Sequence, residues 1–210
     1  GDERDLVKNI IQQKAIENKS EFIDATEIST DLPTDLKGNY QKKNIRVVLA
    51  VVEELRKQKI EISEKSLEIG LKNVQKNTKF IGRWFQFSKN PLIICDTAHN
   101  QAGLEMVFDQ LNGIEKYKHI VLGFVNDKKI DDVLKILPQN AQYYFVKPSI
   151  SRGRSPKEYE NLLISAKIDF QIFETVDAGF QAAKIKCKPE EMIFVGGSNF
   201  VVGEFLEKNL

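Results

Sequence analysis

From residue 82 onward, the chain alternates short apolar runs with segments whose apolar residues recur at helical spacing. The runs PLIICD, HIVLGFV, AQYYFV, FQIF and EMIFVGG are typical of buried strands. The segments between them are typical of amphipathic helices: QAGLEMVFDQLNG carries Leu104, Val107, Phe108 and Leu111 on one helical face. This rhythm predicts an α/β fold, with a mostly parallel sheet and helices on both faces.

The pattern before residue 80 is different. It predicts a helix over RDLVKNIIQQKAIENK, a short strand at SEFIDA, a helix near 38–57 and another near 63–76. One strand does not make a sheet, so we expect residues 1–80 to be the incomplete, mostly helical end of a larger domain. We expect residues 81–210 to form a second domain, with the linker at NTKFI.

Composition narrows the function classes. The chain has 210 residues and a formal net charge of +1. Because the charges nearly cancel, we expect no nucleic-acid partner. The longest apolar run is too short to span a bilayer, so we expect no membrane association. Neither Cys95 nor Cys187 belongs to a CxxC motif, which favours buried thiols in the cytoplasm over a disulfide.

Charge is distributed unevenly along the first part of the chain. Residues 1–36 hold 4 Lys/Arg and 9 Asp/Glu, whereas residues 37–89 hold 13 Lys/Arg and 5 Asp/Glu. The basic stretch 37–89 is compatible with steering of a polyanionic ligand. It is equally compatible with a solvated helical face.

The segment CDTAHNQAG places Asp96, His99 and Asn100 where a predicted strand gives way to a helix. Ligands of doubly wound sheets bind outside the carboxyl ends of the strands, and a helix N-terminus favours anions. Asp can accept from ribose hydroxyls, while His and Asn can donate to phosphate oxygens. The alternative is that Asp96 and Asn100 only form the turn and cap the helix.

Other motifs are weaker. GGSN at 196–199 is typical of a turn and helix cap, and the chain contains neither GxGxxG nor the phosphate-binding GxxxxGK[ST]. His119 precedes an apolar strand and is expected to be packed or at the solvent edge. With two histidines and no clustered ligand spacing, the sequence predicts no metal site.

Four segments together resemble the folylpolyglutamate synthase/dihydrofolate synthase family of the Mur ligase superfamily. They are LKGNYQKKNIRVVLAVVEEL, GRW followed by NPLIICDTAHNQAG, VLGFVNDKK and FVGGSNFVVGEFL, in the family's order. The resemblance implies that residues 1–80 are the C-terminal part of a central ATP-binding domain. Residues 81–210 would be a Rossmann-like C-terminal ligase domain.

The resemblance also implies an activity: ATP-dependent ligation of L-glutamate to folate or dihydropteroate through an acyl phosphate. By motif position, Asn44 would approach the nucleotide base, Arg83 the phosphates and Asp96 the ribose, with His99 and Asn100 in the same cleft. Arg83 and His99 are the catalytic candidates. ATP and Mg²⁺ are the implied cofactors, and the intact protein would be a cytoplasmic monomer.

The chain departs from the family pattern in several places. The phosphate loop and most magnesium ligands are expected in an amino-terminal portion that precedes this sequence, so the chain alone is predicted to be inactive. Phe85, SISRGRSP and DKK differ from the usual residues. The alternatives are another Mur-type amide ligase, a Rossmann-like cofactor module, which the missing glycine fingerprint disfavours, and a non-catalytic nucleotide-binding domain.

Overall fold

The computed structural model describes residues 5–126 and 130–210. Contacts divide the chain into two compact units, one ending at Phe80 and the other beginning at Ile81. The DKK motif of the predicted family pattern, residues 127–129, lies outside the described residues.

Helices make up the first unit. They are α1 (Asp5–Glu17), α2 (Gln41–Lys57), α3 (Glu64–Lys72) and α4 (Val74–Thr78), with a 3₁₀ turn at Ala25–Glu27. The helices predicted over residues 4–19 and near 38–57 are confirmed, and the one predicted near 63–76 is divided into α3 and α4 at Asn73. The strand predicted at SEFIDA is wrong. Among residues 5–80 the structure contains no strand with which it could pair. Asp24 instead caps the 3₁₀ turn, its Oδ1 accepting from Thr26 N at 3.0 Å.

The core of the first unit is small. Its buried residues come from α2 and α3 (Ile45, Val52, Leu67 and Leu71), and Leu32, Leu49 and Ile62 pack against them. Val48, three residues after Ile45 on α2, is 38% exposed. Helix α1 buries none of its residues.

A six-stranded sheet forms the second unit. Its strands are β1 (Phe85–Lys89), β2 (Leu92–Asp96), β3 (Lys118–Gly123), β4 (Ala141–Val146), β5 (Asp169–Phe173) and β6 (Met192–Gly196), in the order β1-β2-β6-β3-β4-β5. Strand β1 pairs antiparallel with β2, and all other neighbours are parallel. The predicted α/β fold with a mostly parallel sheet is confirmed.

Helices cover both faces of this sheet, which explains why its central strands are apolar on both sides. The helices are α5 (Gln101–Asn112), α6 (Ile130–Leu134), α7 (Glu160–Ser165), α8 (Val176–Lys186) and α9 (Asn199–Asn209), with a 3₁₀ turn at Pro156–Tyr159. On one face, α8 and α9 pack on Val121 and Val195. On the other, Phe108 of α5 contacts Phe194 edge to face.

Three further features concern thiols, capping and membranes. Both cysteines are free thiols: Cys95 is buried and Cys187 half-buried. A capping box is present at Pro156–Tyr159, where the Glu158 carboxylate accepts the Ser155 N–H at 3.0 Å. Among the described residues, no helix is both long and apolar enough to cross a bilayer.

Candidate functional site

The turn after β2 lies at the carboxyl edge of the sheet, where α5 begins. Asn100 is the N-cap of α5, and its Oδ1 accepts the Gly103 N–H at 2.8 Å. A Cβ at position 103 would lie 3.0 Å from that oxygen and 3.4 Å from the Ala98 Cβ. The cap therefore fixes the turn close to the helix, and the role predicted for Asn100 toward a ligand stays a prediction.

Asp96 is fully buried at the tip of β2. Its Oδ2 accepts the Trp84 N–H at 2.7 Å, and its Oδ1 accepts the Ala98 N–H at 2.7 Å. Trp84 has a φ of 47°, a left-handed conformation that is unfavourable for a bulky residue. One carboxylate thus ties the segment before β1 to the turn after β2.

Arg83 lies beside the same turn. Its Nη1 donates to Thr97 Oγ1 at 2.5 Å, and Thr97 N donates to Gly82 O at 2.8 Å. Gly82 has a φ of 90°, and a Cβ there would meet the Thr97 side chain at 3.1 Å. Glycine allows the two segments to approach this closely, and the guanidinium is held at the carboxyl edge.

His99 is exposed, and its Nδ1 lies 3.1 Å from Thr97 O. A carbonyl can only accept, so Nδ1 is the donor and Nε2 is left for a ligand. Thr97 therefore contacts Arg83 through its hydroxyl and His99 through its carbonyl, and it links the two catalytic candidates.

The Cys95 thiol beside Asp96 is not a nucleophile. Burial, together with the negative charge of Asp96, raises the pKa of Cys95 to about 12. The thiolate, the reactive form, is therefore scarce at neutral pH.

The neighbouring tip, after β6, is a turn and cap, as its sequence predicted. Ser198 Oγ accepts the Phe200 N–H at 3.2 Å at the start of α9. Gly197 has a φ of 89°, and a Cβ there would lie 2.8 Å from Gly123 O. Because β6 lies between β2 and β3, this turn forms part of the same edge.

Asn44 belongs to the first unit, in the first turns of α2. Its side chain is exposed, and Nδ2 donates to Gln41 Oε1 at 2.8 Å. Residues 30–34 and 36–39 line a concave surface at the start of this helix, together with Gln41, Lys42 and Ile45. The role predicted for Asn44 toward a nucleotide base stays a prediction.

The second unit thus brings together four predicted residues: Arg83, Asp96, His99 and Asn100. Arg83, His99 and Asn100 present a guanidinium, an imidazole and an amide beside the N-terminus of α5. This combination is suited to binding an anion. The sequence did not predict that Thr97 accepts a hydrogen bond from Arg83, or that the Trp84 backbone N–H donates to Asp96. Neither carried a signal, since a Thr in a turn is common and a backbone N–H is invisible in a pattern.

A family model described as the Mur ligase, glutamate ligase domain matches residues 82–199. A Buchnera aphidicola "Dihydrofolate synthase/folylpolyglutamate synthase" is 28% identical over 151 residues, which is 70% of this chain and 35% of that protein. A Haloferax volcanii protein named "Probable bifunctional folylpolyglutamate synthase/dihydropteroate synthase" is 26% identical over 83% of this chain and 20% of its own length.

Solved structures share the fold. A bifunctional folylpolyglutamate synthase/dihydrofolate synthase from Yersinia pestis superposes with a TM-score of 0.75 at 21% identity, covering 95% of this chain and 50% of that one. The chain spans half or less of the length of each of these relatives.

Proposed function

Because the chain belongs to the Mur ligase family through its glutamate ligase domain, we propose that it is the C-terminal portion of an ATP-dependent glutamate ligase acting on folate or dihydropteroate. One observation carries the proposal. In a domain of this family, Arg83, His99 and Asn100 are gathered around a single turn at the ligand-binding edge of the sheet.

The reaction has two steps. The substrate carboxylate attacks the γ-phosphorus of ATP, giving an acyl phosphate and ADP. The glutamate amine then attacks the acyl carbon, inorganic phosphate leaves, and the amine loses a proton as the amide forms. Both steps develop charge on phosphoryl or acyl oxygens, and fixed cationic donors stabilise such charge.

The ligands bound in structures of relatives support these substrates. One Escherichia coli structure is of FolC in complex with DHPP and ADP. One bifunctional synthase structure holds Mn, AMPPNP and L-glutamate. At 23–24% identity these structures share the fold with our chain, and the transfer of their ligands to it is part of the proposal.

Arg83 is proposed to contact the nucleotide phosphates. Its planar fork suits phosphate, and the bond to Thr97 restricts the side chain before the ligand arrives. His99 Nε2 is proposed to donate to a phosphate oxygen when the ring is protonated. Asn100 uses its Oδ1 for the cap, so its amide NH₂ is the group proposed to reach the ligand.

For Asp96 the geometry supports a positioning role. Both oxygens accept main-chain N–H groups, and none of the residue is exposed. A contact between this carboxylate and ribose, as predicted from the family pattern, requires the turn to open. Asn44 is proposed to approach the base from the first unit.

Mg²⁺ is proposed to accompany ATP and to neutralise charge on its phosphates. The residues described at the carboxyl edge offer cationic and amide donors, and Asp96 is already committed to backbone N–H groups. The magnesium ligands are therefore proposed to lie mainly in other parts of the protein. We also propose a cytoplasmic monomer without a nucleic-acid partner, in keeping with its small-molecule substrates.

The test is ADP release by the full-length protein with ATP, Mg²⁺, glutamate and either folate or dihydropteroate. The proposal predicts release that requires both glutamate and the pterin substrate. The 210-residue chain alone is predicted to release none above a heat-killed control. Nucleotide binding without any substrate-dependent turnover of the full-length protein would favour the non-catalytic alternative.

A further inference from the structure

Three potential metal ligands converge at the opposite, amino-terminal edge of the sheet. His119 is the second residue of β3, Cys187 follows α8, and Glu191 immediately precedes β6. Strands β3 and β6 are parallel neighbours, so their amino-terminal ends lie side by side. The ligand atoms of the three residues all lie within 4.8 Å of one another. This cluster is remote from His99 and from Arg83 beside it, since it lies at the other end of the sheet's parallel strands.

Hydrogen-bond directions determine which nitrogen of His119 carries a proton. The Gln142 amide nitrogen faces the Asp169 carboxylate at 3.5 Å, so its oxygen faces Tyr144 and accepts the hydroxyl proton at 3.0 Å. The Tyr144 oxygen must then accept from His119 Nδ1, which lies 2.9 Å away. Nδ1 therefore carries a proton.

This tautomer leaves the Nε2 lone pair of His119 facing the Glu191 carboxylate. Nε2 and Oε2 are 2.9 Å apart, and His119 is only 3% exposed. Two acceptors cannot face each other at this distance in a buried place unless a cation lies between them. Glu191 Oε2 also accepts the Lys188 N–H at 2.9 Å. A proton shared between Nε2 and Oε2 fits their present distance, and a metal ion bound by both atoms would take its place once they move apart by a few tenths of an ångström.

Cys187 makes a metal ion the more specific fit. Its sulfur is half-buried beside the pair and donates one long hydrogen bond, of 3.5 Å to Lys188 O. Its Sγ lies within 4.8 Å of the His119 and Glu191 ligand atoms, so the three side chains can converge on one ion.

We propose that His119 Nε2, Cys187 Sγ and a Glu191 carboxylate oxygen bind a zinc ion, with water as the fourth ligand. Imidazole, thiolate and carboxylate are the ligand types that zinc takes in tetrahedral sites. Ligand atoms around tetrahedral zinc are about 3.5 Å apart, so the present spacing needs only small side-chain shifts. Binding replaces the thiol proton, which passes to solvent.

The surroundings of His119 resemble the support that zinc ligands usually have. A ligating histidine donates its other N–H to a fixed acceptor, and here Tyr144 is that acceptor and is itself held by Gln142. A bound ion would link β3, β6 and the end of α8. The site is therefore proposed to stabilise the second unit, independently of ligase activity.

Zinc and cobalt binding to the metal-stripped 210-residue chain test the proposal. One zinc ion per chain should bind in competition with a chelator and raise the melting temperature. Cobalt(II) in its place should give a thiolate-to-metal charge-transfer band. Cys187→Ser should abolish this band, and Cys187→Ser and Glu191→Gln should each weaken zinc binding about 100-fold. Tyr144→Phe should weaken it about 10-fold.

Matched controls separate this site from adventitious binding. Glu190→Gln changes the adjacent exposed carboxylate and should leave the affinity unchanged, and Cys95→Ala should keep the cobalt band. Undiminished zinc binding by Cys187→Ser and Glu191→Gln would overturn the proposal, as would the absence of any thiolate band. Cys187 and Glu191 are only half-buried. The test therefore needs no substitution of the buried His119, which could prevent folding.

Discussion

The Asp96 carboxylate accepts the backbone N–H of Trp84 at 2.7 Å, across the end of the β1–β2 pair. Trp84 is buried and has a left-handed backbone, which costs about 1–2 kcal/mol for a residue other than glycine. A buried charge-assisted hydrogen bond offsets a cost of this size. The position of Arg83, one residue earlier, therefore depends on Asp96.

We expect Asp96→Asn to destabilise the chain. The amide keeps the size of the side chain but replaces one acceptor by an NH₂ group, which would face a main-chain donor. The free energy of unfolding should fall by about 1–3 kcal/mol, measured by urea denaturation. Asp109→Asn, on the exposed side of α5, is the control. Equal midpoints for both variants would show that the carboxylate does not hold the turn.

Thr97→Val should lower kcat of the full-length protein without unfolding it. Valine matches threonine in shape but removes the oxygen that accepts from Arg83. A lost hydrogen bond to a charged group corresponds to about a 10-fold change in rate. Thr97→Ser keeps the hydroxyl and should retain most of the activity. If the valine and serine variants were equally active, the Thr97 bond would not position Arg83.

Hydrogen exchange should be faster in the first unit than in the central sheet. Helix α1 buries no residue, and Leu6 and Ile16 are 71% and 77% exposed. Each large aliphatic side chain left exposed forgoes about 1.5–3 kcal/mol of burial. Mass spectrometry of the 210-residue chain should therefore show less protection in α1 and α2 than in β2–β4. Equal protection would mean that another surface, such as a second copy, covers α1.

Only part of the basic stretch 37–89 is available to steer anions. Arg56, Lys57 and Lys72 each pair with nearby glutamates, as a solvated face would. Lys42, by contrast, lines the concave surface at the start of α2. We expect the KM for ATP to rise between 0.1 and 1 M salt, as the Debye length falls from about 10 to about 3 Å. Lys42→Gln should flatten this dependence and Lys72→Gln should not. The same salt dependence in both variants would contradict steering by this stretch.

The sequence predicted the sheet because its strands are unbroken apolar runs and its helices carry clear apolar faces. It failed at SEFIDA because Phe22 and Ile23 have strand propensity, but a strand also requires a partner, which the pattern cannot supply. The turn at Asp96 was predictable from its place after a buried run. The Trp84 contact was not, since it depends on the antiparallel register of β1. The His119–Glu191 pair joins residues 72 positions apart, beyond the reach of local spacing.

Arg83, held beside the turn after β2, is proposed to take part in phosphoryl transfer. The most direct measurement is kcat for glutamate-dependent ADP release by the full-length protein and its Arg83→Ala and Arg83→Lys variants, with Lys89→Ala as the control. Arg83→Ala is predicted to lower kcat about 10²–10³-fold at an unchanged melting temperature. Arg83→Lys should restore it only partly, because an ammonium cannot make the bidentate fork. A near-normal kcat in Arg83→Ala would contradict the claim.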